Sequence, residues 1–362
     1  MNLSSTMVEA SPLTRFLRDR GVVGSFSAEE WSLMLAEARH AGMLARIARW
    51  ILGSSMAGSV PPCHRDSLAA ALVHSAAFRR DVQRELRSIS SALVHVEAPI
   101  LLLKGASYVA LGLPAADGRI FSDIDLLVGD KQIRFVEREL MLGGWITGEI
   151  AAYDDRYYRQ WSHEIPPMTH TRRGTTIDLH HSLVMPTCRI AVNSSRMVND
   201  AVRIAGSERF WRLRDEDILL HAAAHLLLNG EFDRGLRDLC DIDLLYRHFS
   251  SGSAEFAERL IARSAEVGLE AIVRQALYLA WRFFSTPADD RLLLQREPTA
   301  FVRLVEKAVS SRHPDTRIRG QAMADWLLMV RELSLRLPPN LLLIHLMHKM
   351  WVGFQPVKRA QA

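Results

Sequence analysis

The sequence has few cysteines and no long hydrophobic run. The three cysteines, Cys63, Cys188 and Cys240, stand far apart, which is neither a disulfide framework nor the spacing of a zinc site. No stretch of eighteen apolar residues indicates a membrane span. The amino terminus lacks the continuous apolar segment of a secretory signal. We therefore expect a cytoplasmic protein with reduced thiols and no membrane partner.

Lysine and net charge are also scarce. The chain of 362 residues has 5 lysines and 40 arginines, so each lysine is more informative than an arginine. The formal net charge of +4 permits a phosphate-bearing ligand but does not indicate a nucleic-acid surface. Hydrophobic residues make up 48% of the chain and charged residues 24%, as in ordinary folded proteins. The length suits two or three domains.

Three regions differ in their hydrophobic periodicity. Residues 1–95 are predicted to be helical, and residues 194–362 to form a second helical domain. Between them, residues 96–193 alternate short apolar runs with turns, which is typical of an α/β core. The predicted fold class is α+β, with a small mixed sheet flanked by N- and C-terminal helical regions. In the flanks we predict a capping box at Ser27 and Glu30, and helices near 67–93, 218–228, 236–248 and 324–337.

The core is predicted to contain strands on both sides of a glycine turn. The apolar runs 100–103 and 124–128 indicate buried strands. Asp130 is placed to cap a helix that stops at two glycines, and an extended segment follows near 145–150. Residues 168–180, with a turn at 172–174, have the pattern of a hairpin.

Three aspartates of the core are candidate ligands for magnesium. Asp123 and Asp125 are two residues apart, so on a strand their side chains share a face. Neighbouring carboxylates repel each other unless a cation lies between them, and magnesium prefers carboxylate and phosphate oxygens. Asp178 lies on another predicted strand, and would complete the set if the two strands pair. The third carboxylate would then ligate a metal or take the proton of an attacking hydroxyl.

A second set of residues suits the phosphates of a nucleotide. Lys104-Gly105 follows a predicted strand and opens a helix, which directs free backbone N–H groups towards an anion. Lys104 adds a compact positive charge. Arg119 lies shortly before the acidic pair, where it would contact a triphosphate or orient an aspartate.

These motifs resemble the polymerase-β-type nucleotidyltransferase superfamily, and above all its bacterial "uncharacterised nucleotidyltransferase" family. The likeness covers about residues 95–250. It rests on Leu103-Lys104-Gly105, Arg119, Ser122 to Val128, Asp178-Leu179-His180, His163 to Met168, Leu219 to His221 with His225, and Leu236 to Asp238 with Asp241.

The resemblance implies Mg²⁺-dependent transfer of NMP from an NTP, with ATP expected and Mn²⁺ as the alternative ion. The acceptor would carry a hydroxyl group and would be a small molecule, a protein or RNA. Asp123, Asp125 and Asp178 would be the catalytic and metal-binding residues, and Ser122 would join the nucleotide-binding set. The superfamily usually has Gly-Ser where this chain has Lys104-Gly105, which makes Ser107 the candidate replacement for that serine.

Other interpretations compete with this one. The chain would otherwise be a nucleotide-binding protein without catalysis, or a toxin-like transferase that modifies tRNA or protein. The string Asp-Ile-Asp-Leu-Leu recurs at residues 241–245, but there it continues a helical pattern. We therefore interpret Asp241 and Asp243 as helix-surface or domain-packing residues, although Asp238 or Asp241 could reach the site across an interface.

The histidines are less informative. His221 and His225 have zinc-compatible spacing, but the alanines between them favour core or hydrogen-bonded roles. His180 shares a strand face with Asp178 and is a candidate neighbour of the metals, whereas a structural hydrogen bond is its simpler role. His163, on a predicted loop, is the weakest candidate.

Overall fold

The N-terminal region is helical, as the sequence predicts. The computed structural model describes residues 11–230, 232–293, 298–338 and 341–342. The Ser27 hydroxyl accepts the Glu30 N–H at 3.2 Å and the Glu30 carboxylate accepts the Ser27 N–H at 2.9 Å, so the predicted capping box is confirmed. The helices of this region are α1 (Pro12–Arg18), α2 (Ala28–His40), α3 (Leu44–Leu52) and α4 (Pro62–Ala92).

A seven-stranded mixed sheet forms the centre of the molecule. Its order is β3-β4-β5-β2-β1-β7-β6, in which β2 pairs parallel to β5, β1 pairs parallel to β7, and the other pairs are antiparallel. The strands are β1 (Ile100–Leu102), β2 (Asp123–Leu127), β3 (Trp145–Thr147), β4 (Met168–His170), β5 (Thr176–His180), β6 (Val202–Arg203) and β7 (Phe210–Arg212). This arrangement confirms the predicted α+β class.

The predicted core elements are found close to their expected bounds. The hairpin is formed by β4 and β5, and the helix after Asp130 ends at Gly143. One helix between β3 and β4 was not predicted. None of its side chains is buried, and its polar and aromatic residues do not form the apolar face that indicates a helix in a sequence. The helices of the core are α5 (Lys104–Leu111), α6 (Ile133–Leu142) and α7 (Ala152–Trp161).

The sheet continues beyond residue 193, into the region predicted to be helical. β6 and β7 are two and three residues long, and β7 lies beside β1 with Ile100 opposite Phe210. Strands this short carry too few alternations to be recognised from periodicity. The C-terminal helices are α8 (Ser194–Asn199), α9 (Asp215–Leu228), α10 (Gly235–Gly252), α11 (Phe256–Val267), α12 (Glu270–Phe284), α13 (Ala300–Val309) and α14 (Gln321–Arg336).

One hydrophobic core joins the sheet to the helices on both sides of it. Leu101, Leu126 and Leu179 from three neighbouring strands are at most 1% exposed, and residues such as Ile47 and Leu239 from the flanking helices belong to the same cluster. Within the described residues, no helix combines the length and the apolar character that crossing a membrane requires. The apolar segment 341–351 lies outside the described residues, apart from its first two positions.

Candidate active site

The parallel pair β2 and β5 brings the three predicted aspartates together. Asp125 lies directly opposite Asp178 in the strand register, and Asp123 lies opposite Thr176. In-register neighbours on parallel strands share a face, so the carboxylates of Asp123, Asp125 and Asp178 occupy the same side of the sheet. The structure therefore supplies the pairing on which the sequence prediction depended.

Burial and the neighbouring carboxylates act together on Asp178. Burial raises the pKa of Asp178 to about 8, together with the negative charges of Asp125, Glu164 and Asp123. The surroundings of Asp178 therefore disfavour its ionised form. The acidic face therefore favours a cation.

Lys104 provides positive charge at one edge of this face. It is the first residue of α5, with a φ of 42°, and its Nζ donates to Asp125 Oδ1 at 2.6 Å. Burial works against the charges of both groups, but their contact outweighs it: the pKa of Lys104 is raised, and that of Asp125 is held well below its usual range by Lys104 and His180. Lys104 thus contacts a carboxylate directly, and a contact with phosphate stays a prediction.

The structure adds a residue that the sequence analysis did not select. Glu164 lies on the segment before β4, which forms a β-bridge with His180, and Ile165 N–H donates to Leu179 O at 3.0 Å. Burial raises the pKa of Glu164. The only sequence signal was that residues 163–168 belong to the family motif. A glutamate on a loop has no periodicity that would assign it to the site.

Two histidines lie against Glu164. His180 Nε2 is 3.0 Å from Asp125 Oδ1 and 3.5 Å from Glu164 Oε2, and His163 Nε2 is 3.8 Å from the same glutamate oxygen. Burial holds the pKa of His163 well below its usual range. His180 therefore lies beside the acidic face, as its strand position suggested, and His163 is closer to it than its loop position indicated.

Arg119 is directed towards the C-terminal helices. Its guanidinium forms ion pairs with Asp241 and, at 3.2 Å, with Asp238, both on α10. Asp241 also binds Arg46 of α3 at 2.8 Å. The side chains of Arg119, Arg46 and Asp241 are at most 8% exposed. Of the two alternatives for Asp241, helix surface or domain packing, the structure therefore shows packing, with contacts to Arg46 and to Arg119 of the core.

The small residues of the predicted nucleotide site have different surroundings. Gly105 has no room for a side chain, because an added Cβ would approach the Phe121 ring to 2.7 Å. Ser107 is 2% exposed, and its Oγ has no hydrogen-bond partner among the described residues. Ser122 is exposed, immediately before Asp123. Only Ser122 of these three is open to a ligand without a change in packing.

The remaining titratable candidates lie in α9 and α10. Burial lowers the pKa of His221 to about 3 and that of His225 well below its usual range. Asp243 is 2% exposed and accepts hydrogen bonds from Arg247 and Thr286, both at 2.7 Å. It is therefore a packing residue and not a surface one. The second Asp-Ile-Asp string thus contacts packing partners, whereas the first one contributes to the acidic face.

A cleft of about 510 Å³ opens where β2 and β5 end, but none of the three aspartates lines it. Its lining includes Val128, Asp130, His181, Met185 and Cys188. The acidic face and this cleft therefore lie at separate places along the same two strands.

The α/β core with its acidic strand pair has the features of a nucleotidyltransferase. The sequence matches the model of the family described as uncharacterised nucleotidyltransferase over residues 27–285, more than half of the chain, and the protein belongs to this family. The match includes α2 to α4 and extends through α12, and so is longer than the segment 95–250 that carried the sequence likeness. No match was found among curated proteins or among solved structures.

Proposed function

We propose that this protein transfers an NMP group from an NTP, with ATP as the expected donor, to an acceptor hydroxyl in a Mg²⁺-dependent reaction. The acceptor oxygen forms a bond to the α-phosphorus while the bond to the bridging oxygen breaks, and pyrophosphate leaves with that oxygen. The observation that carries the proposal is the register of β2 and β5, with Asp125 opposite Asp178 and Asp123 on the same face. The family membership supports the reaction class.

The donor set fits magnesium. Asp123, Asp125 and Asp178 offer only carboxylate oxygens, the ligands that this hard ion prefers. Burial and the neighbouring carboxylates both raise the pKa of Asp178, so a cation at this face would stabilise its ionised form. Bound Mg²⁺ would neutralise the charge that develops on the phosphate oxygens and on the leaving group.

The protein's own side chains would position the nucleotide and receive the proton. Asp178, opposite Asp125 on the neighbouring strand, would ligate the ion or take the proton of the attacking hydroxyl once Mg²⁺ has favoured its ionised form. Lys104 lies at the edge of the face, where its ammonium group can exchange Asp125 for a phosphate oxygen. Ser122, exposed before Asp123, can donate to a phosphate. Arg119 holds the loop before β2 against α10 through Asp238 and Asp241.

The reaction is tested by incubation of the protein with each α-labelled NTP, Mg²⁺ and a cell extract. We expect label in one acceptor class, and its size and its sensitivity to nuclease or protease identify RNA, protein or a small molecule. Asp123→Asn should abolish labelling, whereas Asp81→Asn, an exposed aspartate paired with Arg84 on α4, should not change it. Equal labelling by wild type and Asp123→Asn would contradict the proposal, and so would the absence of label with every NTP.

A further inference from the structure

A compact group of ligand atoms lies beside the three aspartates. Among the described residues, His163, Glu164 and His180 form the only set of three histidine, cysteine or acidic side chains whose ligand atoms all lie within 4.8 Å of one another. The three aspartates do not form such a set, so their carboxylates are more widely spread. The two groups therefore differ in geometry as well as in chemistry, with two imidazoles and one carboxylate in the first.

The distances within this group are too long for good hydrogen bonds. Glu164 Oε2 lies 3.5 Å from His180 Nε2 and 3.8 Å from His163 Nε2, whereas N–H···O hydrogen bonds measure about 2.7–3.2 Å. In a tetrahedral zinc site, ligand atoms that lie about 2.0–2.1 Å from the ion are about 3.3–3.4 Å from one another. The spacing thus matches atoms that share one ion better than atoms that share a proton.

The protein holds these side chains in place without an ion. His180 is on β5 and is 1% exposed, and the bridge between Glu164 and His180 fixes the neighbouring segment to that strand. His181 N–H donates to His163 O at 2.9 Å, which anchors the backbone of the second imidazole. A preorganised site of this kind costs little conformational entropy when an ion binds.

We propose that His163, Glu164 and His180 bind a divalent transition metal ion of the zinc class, at a site that adjoins the three aspartates but has its own ligands. Imidazole ligands favour such ions, whereas magnesium prefers oxygen alone. An ion bound to His180 Nε2 takes the place of the hydrogen bond between this nitrogen and Asp125 Oδ1. Asp125 then keeps its contact with Lys104, and the ion stabilises the segment 162–165 against β5.

Cobalt is the probe for this site, because four-coordinate Co²⁺ with nitrogen ligands absorbs strongly in the visible region. The purified full-length protein is stripped of metal and titrated with Co²⁺ alone, so the measurement requires no transferase activity. We expect one equivalent to bind with a strong visible band that excess Mg²⁺ does not remove. His163→Gln and Glu164→Gln should each weaken binding by more than about 100-fold, since even the loss of an outer-shell partner costs about 10–100-fold.

Two control variants separate this site from other ligands. His74→Gln removes an exposed histidine of α4, and Asp123→Asn removes a carboxylate of the acidic face, and both should keep the visible band and the affinity. If His163→Gln is misfolded by circular dichroism, Glu164→Gln decides alone, because this side chain is more exposed. The proposal is overturned if neither ligand variant changes binding, if Asp123→Asn abolishes the band, or if Mg²⁺ displaces the cobalt.

Discussion

The contact between Lys104 and Asp125 allows a quantitative test of how the acidic face is held together. Lys104→Met keeps the length of the side chain but removes the ammonium group. The side chain of Asp125 is 4% exposed, and among the described residues it then keeps His180 as its hydrogen-bond donor, at 3.0 Å. Removal of one partner of a buried ion pair costs about 3–5 kcal/mol. Since Lys104 is 18% exposed and His180 still donates, we expect a loss near the lower end, about 3 kcal/mol.

The assay is urea unfolding of four proteins at pH 7 without nucleotide or metal: wild type, Lys104→Met, Asp125→Asn and the double variant. The double variant has no uncompensated charge, so it should be more stable than Lys104→Met, and the coupling energy should be at least about 1 kcal/mol. A coupling energy near zero would show that the pair does not stabilise the fold, and the reasoning would fail.

Two other variants of Lys104 address the predicted contact with phosphate. If Lys104 also binds the NTP, Lys104→Ala should raise KM by roughly tenfold to a hundredfold, since a lost charge-assisted hydrogen bond costs about 1.5–3 kcal/mol. Lys104→Arg should restore only part of this loss, because the planar guanidinium is larger than an ammonium group. An unchanged KM in Lys104→Ala would leave Lys104 with the structural role alone.

Two further predictions concern buried groups outside the acidic face. Asp243→Asn should reduce the free energy of unfolding by about 1–3 kcal/mol, because the carboxylate accepts hydrogen bonds from Arg247 and Thr286. Turnover should stay within a few fold of wild type. A loss of turnover as complete as in Asp123→Asn would contradict this prediction. Because the pKa of His221 is about 3 when folded, against about 6.5 when unfolded, its contribution to stability is present above pH 6.5 and is lost as the pH falls towards 3. Between pH 7 and pH 5, the free energy of unfolding measured by urea titration should therefore fall by about 2 kcal/mol less in His221→Gln than in wild type. Equal decreases in the two proteins would refute the lowered pKa of His221.

Much of the acidic face could be predicted because it depends on strand periodicity. The spacing of Asp123 and Asp125 fixes their common face, and the apolar residues after them indicate a buried strand. Asp178 lies on a strand with the same pattern, and a short parallel pair needs only correct register to bring the carboxylates together. These are local properties of the sequence, and the structure has them as expected.

Contacts that depend on chain path could not be predicted in the same way. Glu164 comes near His180 because a loop returns along β5, and no local pattern specifies that return. Arg119 contacts Asp241, more than a hundred residues away, although an arginine beside an acidic pair suggested a phosphate ligand. An isolated Arg has no sequence signal that separates an ion pair within the protein from one with a ligand.

The recurring string Asp-Ile-Asp-Leu-Leu shows how secondary structure decides what the same residues do. On β2, Asp123 and Asp125 point to one side, so their negative charges lie together on the acidic face. On α10, residues two apart diverge by about 200°, and the second pair of aspartates cannot act together. Asp241 binds Arg46 and Arg119, whereas Asp243 binds Arg247 and Thr286. Asp241 is paired with Arg46 and Arg119 and Asp243 with Arg247, and α10 therefore joins α3, through Arg46, to the loop before β2, through Arg119.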